Sequence, residues 1–265
     1  MKFDGKGFAK TIEEHVRERV AKLPTKPKIV SILVGNDPAS VLYTGLKQKA
    51  AERVGVEFDV VKLNPKLQIS NYKNLIAEIG QREDVTGIMI QLPVPGINGA
   101  TQKDVISAIP YKKDVDGLRY PESGVVPPVV SAILRVMDNI TLNHKLEVTN
   151  SKIVVVGAAG FVGSGVMTEL AKRGIRAVGV ERGDDMSIIK TGDIVISAVG
   201  EEDVIKPEMV REAVVVIDVG APKGDMTKEV YQKASVSVEV PGGVGPVTIA
   251  CLMENGAELY EMQWL

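Results

Sequence analysis

The chain has 265 residues, a length that favours two compact domains over one small module. Its 34 acidic and 32 basic residues leave a formal net charge of −2, which excludes the charge excess that draws proteins to nucleic acid or to anionic membranes. Hydrophobic residues make up 45% and charged residues 25%, so the composition is that of a folded protein rather than a disordered one.

The cysteine and histidine content indicates a reducing environment and no zinc site. Cys251 has no second cysteine to pair with, and His15 and His144 are too few for a Cys/His metal site. The first residues carry acids and glycines where a signal peptide has an apolar core, and no apolar stretch reaches the ~18 residues of a membrane span. We therefore expect a cytoplasmic protein without a metal and without a membrane partner.

Short β-branched runs along the chain predict strands. Most are apolar almost throughout, as in strands that helices cover on both faces of a parallel sheet. The predicted strands are Lys28–Val34, Glu57–Leu63, Gly87–Leu92, Lys152–Val156, Ala177–Val180, Asp193–Val199 and Val214–Val219.

Apolar residues at three- and four-residue spacing predict helices between these strands, at roughly 7–21, 38–54, 70–81, 128–138, 161–173 and 248–262. The Gly-, Pro- and Asp-rich segment 114–128 separates two strand–helix cycles. The sequence therefore predicts two α/β domains with an active-site cleft between them. The first comprises 1–121 with 248–265 returning to it, and the second comprises 122–247.

A glycine-rich turn in the segment 152–174 points to a nucleotide. Gly157, Gly160 and Gly163 lie between a buried strand and an amphipathic helix, where a dinucleotide-binding turn approaches a pyrophosphate. The G-x-x-G-x-x-G spacing alone fits equally well with glycines that only tighten a turn. With the flanking strand and helix, it predicts a Rossmann-type doubly wound parallel sheet for the second domain.

Two charged residues bear on the choice of nucleotide. Glu181 lies 24 residues after Gly157, where an acid is expected to bind a ribose hydroxyl. Arg182 beside it could instead bind a 2′-phosphate through charge-assisted hydrogen bonds. These residues by themselves leave both NAD and NADP open.

The helix that starts near Asp37 and Pro38 carries Tyr43 and Lys47 on one face, at i and i+4. Taken alone, this spacing is more typical of a solvated lysine beside a core tyrosine. Three motifs accompany it, however: QLPVP at 91–95, KDVDG at 113–117 and PGGVGPVT at 241–248.

Together with the DPAS-x-x-Tyr-x-x-x-Lys pattern of 37–47, these motifs resemble the methylenetetrahydrofolate dehydrogenase/cyclohydrolase family. Its bifunctional bacterial members carry QLPLP, KDVDG and PGGVGPMT in the same order. The resemblance covers nearly the whole chain. It implies an enzyme that oxidises 5,10-methylenetetrahydrofolate with NADP, NAD remaining possible, and hydrolyses the methenyl product to 10-formyltetrahydrofolate. It also implies a homodimer.

The resemblance also implies roles for individual residues. The catalytic residues would be Lys47, Tyr43, Gln91 and Asp116. Folate would contact Ser40, Tyr43, Gln91, Asp116, Pro241 and Gly242. The nucleotide would contact Gly157, Ala158, Ala159, Gly160, Val162, Gly163, Glu181, Arg182, Val199, Ala221 and Thr248.

The hydrolytic step places a chemical demand on Lys47. An ordinary lysine, with a pKa of about 10.4, is almost wholly protonated at neutral pH and cannot accept a proton. A partly apolar site would lower that pKa, and Gln91 could hold the amine without restoring its charge. Asp116 suits the N–H donors of a pterin ring, although a turn-forming role is the alternative for it and for Asp114.

Three departures from the family pattern concern the cofactor and its surroundings. Gly157, Ala158 and Ala159 stand where the family has GRS, which puts the preference for NADP in doubt. A short PESGVVPPVV replaces a longer connection ending in PCTP, and SVEVPGG at 237–243 replaces ITPVPGG. Two alternatives therefore stay open: an enzyme with only one of the two activities, and a two-domain oxidoreductase of the shikimate dehydrogenase type.

Overall fold

The computed structural model describes residues 1–97, 99–144 and 151–265. Its strands are β1 (Lys28–Val34), β2 (Glu57–Leu63), β3 (Gly87–Ile90), β4 (Ile153–Val156), β5 (Ala177–Val180), β6 (Ile194–Ser197), β7 (Val215–Asp218) and β8 (Val236–Val238). Its α-helices are α1 (Gly5–Val20), α2 (Pro38–Val54), α3 (Ile69–Gln81), α4 (Gly99–Ile106), α5 (Pro128–His144), α6 (Phe161–Lys172), α7 (Lys228–Lys233) and α8 (Val244–Trp264).

The chain forms two compact units. Unit 1 comprises Met1–Ala9 and Val129–Thr248, and unit 2 comprises Lys10–Pro128 and Ile249–Leu265. The predicted first domain, 1–121 with 248–265, differs from unit 2 at the N-terminus and at residues 122–128, which belong to unit 2. Met1–Ala9 belongs to unit 1 because Phe3 N–H donates to Ser237 O at 2.9 Å and Ser237 N–H donates to Met1 O at 2.8 Å, beside β8.

Unit 2 is built on a parallel three-stranded sheet in the order β2-β1-β3. The central strand, β1, is buried along nearly its whole length, as its uninterrupted apolar sequence predicts. Its core side chains include Val30 and Ile32, which pack with Ile76 of α3 and Ile88 of β3. Because the three strands are parallel, their carboxyl ends share one edge of the sheet.

Unit 1 is built on a parallel five-stranded sheet in the order β5-β4-β6-β7-β8. Strands β4, β6 and β7 are buried throughout, whereas the edge strand β5 exposes Val178 and Gly179. The direction in which successive strands are added changes between the neighbouring strands β4 and β6. Ligands of open α/β sheets bind at such switch points.

Most predicted elements are present, and the differences lie in short or polar segments. The predictions did not include α4, α7 and β8, of which α7 has 6 residues and β8 has 3. Helix α8 begins at Val244, inside the PGGVGP turn, rather than at residue 248. The α/β class with parallel sheets in two units is confirmed.

Across the described ranges, no helix is long and apolar enough to cross a membrane. The same residues contain no group of three or more His, Cys, Asp or Glu side chains that could hold a metal ion.

Candidate active site

Lys47 lies in the middle of the buried face of α2. Asp37 caps the start of this helix by accepting the Ser40 N–H at 2.8 Å, and Pro38 occupies the first turn. The buried positions Ser40, Thr44 and Ala51 follow the three- and four-residue spacing of one helix face, and Lys47 falls on that face between them. The helix therefore brings a half-buried amine to the sheet of unit 2.

Gln91 is positioned by strand pairing. Its backbone N–H donates to Ile32 O at 2.9 Å, which extends the β1–β3 ladder one residue beyond Ile90. Lys47 Nζ donates to Gln91 Oε1 at 3.0 Å, and Gln91 Nε2 donates to Leu92 O at 3.2 Å. A neutral amide thus holds the lysine amine without adding a negative charge.

Asp116 lies alongside the same sheet edge, and its charge acts on Lys47. Asp114 forms a parallel β-bridge with Ile88, which places the segment that contains Asp116 beside β3. Burial raises the pKa of Asp116 to about 6, although the positive charge of Lys47 opposes the rise. Burial lowers the pKa of Lys47 from its ordinary value, and the charge of Asp116 partly offsets this effect.

Asp114 and Asp116 differ in how their carboxylates are bonded. The fully buried Asp114 accepts the N–H groups of Leu118 at 2.9 Å and Arg119 at 2.8 Å, so it stabilises the turn that follows. Within the described parts of the chain, the Asp116 carboxylate accepts no hydrogen bond and interacts only through charge. A half-buried carboxylate without hydrogen bonds is available to the N–H donors of a ligand.

The other predicted folate contacts differ in their surroundings. Tyr43 is half-buried one helical turn before Lys47, whereas Ser40 is buried and bonded to Asp37 at the helix cap. Pro241 and Gly242 lie in unit 1, in the turn between β8 and α8. Gly242 has a φ of +106° and no neighbouring atom within 4 Å of an added Cβ, so this turn is open around it.

The glycine-rich turn of unit 1 has the geometry that a dinucleotide requires. Gly157 adopts a φ of +77°, and a Cβ on Gly163 would lie 2.1 Å from Gly157 O, so neither position accepts a larger residue without displacement. Gly160 caps α6 without a side-chain hydrogen bond, which leaves the N–H groups of the first turn for an anion. Ala158 and Ala159 form the turn itself, and Val162 lies in the first turn of α6. These residues fit a pyrophosphate.

The two charged candidates that follow β5 already have partners. Glu181 accepts the Ala159 N–H, which joins the end of β5 to the glycine-rich turn. The Arg182 guanidinium, whose side chain is 81% exposed, pairs with Glu201. The sequence does not indicate a role for Glu201, because nothing in the motif shows which residue of the β6–β7 connection reaches Arg182.

Buried carboxylates hold the loops after β6 and β7. Asp225 accepts Ser197 Oγ and the Val199 N–H, both at 2.8 Å, and the Gly200 N–H at 2.9 Å. Asp218 accepts the Tyr231 hydroxyl at 2.6 Å and the Asp225 N–H at 3.0 Å. The backbone N–H of Val199 is therefore already bonded within unit 1.

The last two predicted nucleotide contacts are Ala221, which is exposed in the loop after β7, and Thr248, whose hydroxyl donates to Val244 O at 3.1 Å within α8.

The sequence motifs do not indicate a role for Asn255 either. This α8 residue is 7% exposed and donates to Val115 O and Val126 O, on the two sides of Asp116. The available signal was an amide in the mostly apolar helix segment 250–257, which also contains Glu254, since a buried amide requires partners.

Unit 1 has a dinucleotide-type turn at a switch point of its sheet, and unit 2 has a half-buried lysine whose pKa is affected by the charge of an aspartate. This combination is typical of nucleotide-dependent enzymes. The model of the tetrahydrofolate dehydrogenase/cyclohydrolase catalytic domain matches residues 3–116, and that of the NAD(P)-binding domain of the same family matches residues 128–264. The chain belongs to the tetrahydrofolate dehydrogenase/cyclohydrolase family.

Individual relatives are similar to this chain along nearly its full length. The bifunctional protein FolD of Thermotoga maritima is 33% identical over 286 aligned positions, which cover 99% of each chain. The bifunctional FolD structure from Campylobacter jejuni matches with a TM-score of 0.89, 28% identity and 99% coverage of both chains. The Trypanosoma brucei FolD, solved with NADP and an inhibitor, matches with a TM-score of 0.86, 25% identity, and coverage of 99% of this chain and 98% of that one.

The shikimate dehydrogenase alternative is not favoured. The shikimate 5-dehydrogenase of Thermus thermophilus has a TM-score of 0.56 and 15% identity, and it covers 89% of this chain and 93% of its own. That likeness extends to the fold alone.

Proposed function

We propose that this chain oxidises 5,10-methylenetetrahydrofolate to the 5,10-methenyl form with NADP and hydrolyses that product to 10-formyltetrahydrofolate. The proposal rests above all on the half-buried Lys47 amine. It donates to the neutral Gln91 Oε1 at 3.0 Å, and the charge of Asp116 affects its pKa. Membership of a dehydrogenase/cyclohydrolase family along both units supports it.

Oxidation requires that the folate and the nucleotide be correctly oriented, and it does not require acid–base chemistry. The methylene carbon lies between two nitrogens that stabilise the cation left after hydride loss, and the bound nucleotide supplies the hydride acceptor. Gly157, Gly160 and Gly163 would hold the pyrophosphate at the start of α6. Asp116 would accept N–H donors of the pterin and fix the folate against unit 2.

Hydrolysis requires a group that can take a proton from water and return it. Burial lowers the pKa of Lys47, which raises the fraction of neutral amine near neutral pH. Gln91 Oε1 accepts a hydrogen bond from that amine and so orients it. Because Gln91 carries no charge, it does not stabilise the protonated form of Lys47 as a carboxylate would. Water adds to the methenyl carbon, the carbon–nitrogen bond to N5 breaks, and one proton is released.

The substrate unit and the nucleotide unit would thus correspond to unit 2 and unit 1. We also propose that the enzyme is a cytoplasmic homodimer. The family resemblance supports the dimer, and a sequence with one cysteine, Cys251, is compatible with a reducing compartment. Sedimentation equilibrium that gives the mass of one chain would contradict the dimer.

Absorbance of purified protein with 5,10-methylenetetrahydrofolate tests the activity. We expect NADPH to form and the methenyl intermediate to be consumed as 10-formyltetrahydrofolate accumulates. Methenyl that accumulates without hydrolysis would reduce the function to a dehydrogenase. Absence of both changes with NADP and with NAD would overturn the proposal.

A further inference from the structure

Asn255 joins the C-terminal helix of unit 2 to the loop that carries Asp116. Its Nδ2 donates to Val115 O at 3.0 Å and to Val126 O at 3.1 Å. Val115 immediately precedes Asp116, and Val126 lies on the returning arm of the same loop. A single amide group therefore ties both arms of the loop to α8.

The two arms meet immediately after Asp116. Gly117 has a φ of +62°, and a Cβ there would lie 2.7 Å from both Val125 O and Pro127 N. The arms are thus in direct backbone contact at this point, and a shift of either arm would move the residue next to Asp116. Asn255 bonds one carbonyl on each arm, which fixes their spacing.

The Asp116 side chain depends on this backbone for its position. Within the part of the chain that the structure describes, its carboxylate accepts no hydrogen bond that would orient it. Asp114 anchors the following turn through Leu118, Arg119 and the side chain of Ser123, but it does not bond Val126. The Asn255 amide differs from these contacts because it bonds a backbone carbonyl on each arm, at Val115 and at Val126.

Packing alone does not account for an amide at this position. Asn255 is 7% exposed on a helix whose neighbouring residues Leu252, Met253 and Ala257 are buried and apolar. An apolar residue of similar volume could fill the space, whereas burying an amide is unfavourable unless it is hydrogen-bonded. Its two bonds both go to the Asp116 loop.

We propose that Asn255 is a positioning residue of the folate site, which acts through the backbone on either side of Asp116 to present its carboxylate to the substrate. This inference rests on the proposed function. It predicts that loss of the amide weakens folate binding in the way that displacement of Asp116 would, while binding of the nucleotide is unchanged.

Asn255→Ala and the similarly sized Asn255→Leu test this role in the full-length enzyme. We expect both to raise the KM for methylenetetrahydrofolate about tenfold and to change the KM for NADP less than about twofold. In an Asp116→Asn background, the same substitutions should change the folate KM less than about twofold, because the group they position is already gone.

Gln263→Ala is the matched control. Gln263 lies on the same helix, and its Nε2 also donates to two backbone carbonyls, Thr86 O at 3.0 Å and Lys112 O at 2.7 Å. We expect this variant to lower the Tm without raising the folate KM. An equal rise in folate KM would mean that docking of α8 as a whole matters, which would overturn the specific role of Asn255.

Other results are equally decisive. Three outcomes would overturn the positioning role alone. The first is an equal effect of Asn255→Ala in the wild-type and Asp116→Asn backgrounds, and the second is an unchanged folate KM. The third is loss of the fold in both Asn255 variants. Wild-type protein that turns over no methylenetetrahydrofolate would overturn the proposed function and this inference with it.

Discussion

The two functional regions use charge in opposite ways. In unit 2, Lys47 and Asp116 are held in partly desolvated positions where each shifts the pKa of the other. In unit 1, Glu181 and Arg182 lie near the surface, and each is already paired, with the Ala159 N–H and with Glu201. Desolvated charges interact strongly, whereas exposed pairs contribute little.

This difference teaches where single residues should matter. In the proposed nucleotide region, the backbone of the glycine-rich turn would bind the ligand, and side chains would adjust the choice between related nucleotides. In the proposed folate region, the side chains of Lys47 and Asp116 would carry out the chemistry and orient the substrate. We therefore expect large effects from substitutions near Lys47 and small ones near Arg182.

The largest expected effect is that of Lys47→Met on hydrolysis. This change keeps the length of the side chain and removes the proton acceptor, so methenyltetrahydrofolate hydrolysis should fall by at least about 100-fold while some hydride transfer remains. A rise in the absorbance of methenyltetrahydrofolate would show this loss of hydrolysis. Lys49→Met, at an exposed position of the same helix, is the control and should behave as the wild type. Hydrolysis at the parental rate in Lys47→Met would contradict the role of the amine.

Asp116→Asn should weaken folate binding next most strongly. Loss of a charge-assisted hydrogen bond costs about 1.5–3 kcal/mol, or roughly a 10- to 150-fold rise in the folate Kd. Binding of the nucleotide should not change, because unit 1 is unaltered. Fluorescence titration with each ligand measures both constants, and an unchanged folate Kd would leave Asp116 as a turn residue.

The same substitution should stabilise the protein above about pH 6. Burial raises the pKa of Asp116 from 3.8 to about 6, so the folded state binds more protons than the unfolded state between these values. Stability therefore falls as pH rises through this window, and Asn removes the penalty, worth roughly 1–3 kcal/mol. Urea unfolding at pH 8 should show Asp116→Asn to be the more stable protein. A lower free energy of unfolding for the variant would contradict this.

The smallest expected effects concern the choice of nucleotide. Arg182→Ala should raise the KM for NADP about two- to fivefold and leave that for NAD nearly unchanged, because only NADP loses a contact with the guanidinium. Glu201→Gln should lower the KM for NADP, since it releases Arg182 from a competing carboxylate. Equal effects on both nucleotides, or a wild type that uses NAD far better, would show that Glu181 sets the preference.

The sequence predicted the elements whose pattern is local. Buried strands such as β1 and β4 are continuous apolar runs, and the cap at Asp37 lies within three residues of its partner. The pairing of Lys47 with Gln91 was also anticipated, through the family motifs. Short elements such as β8 were missed, because three residues carry too little periodicity and their stability comes from neighbouring strands.

Contacts between distant segments were beyond prediction from sequence. Asn255 bonds Val115, 140 residues away, and neither residue carries a motif that indicates the other. Likewise, Asp114 and Asp116 are equivalent in the KDVDG motif, and only the hydrogen bonds of the folded chain separate the anchored carboxylate from the available one.

The pKa of the Lys47 amine is the measurement that tests the central claim most directly. Titration of its Nζ by NMR in the wild type and in Asp116→Asn separates the effect of burial from that of the carboxylate. Burial should place the wild-type pKa below the ordinary lysine value, and loss of the Asp116 charge should lower it further. An ordinary lysine pKa in the wild type, or a rise in Asp116→Asn, would contradict the account.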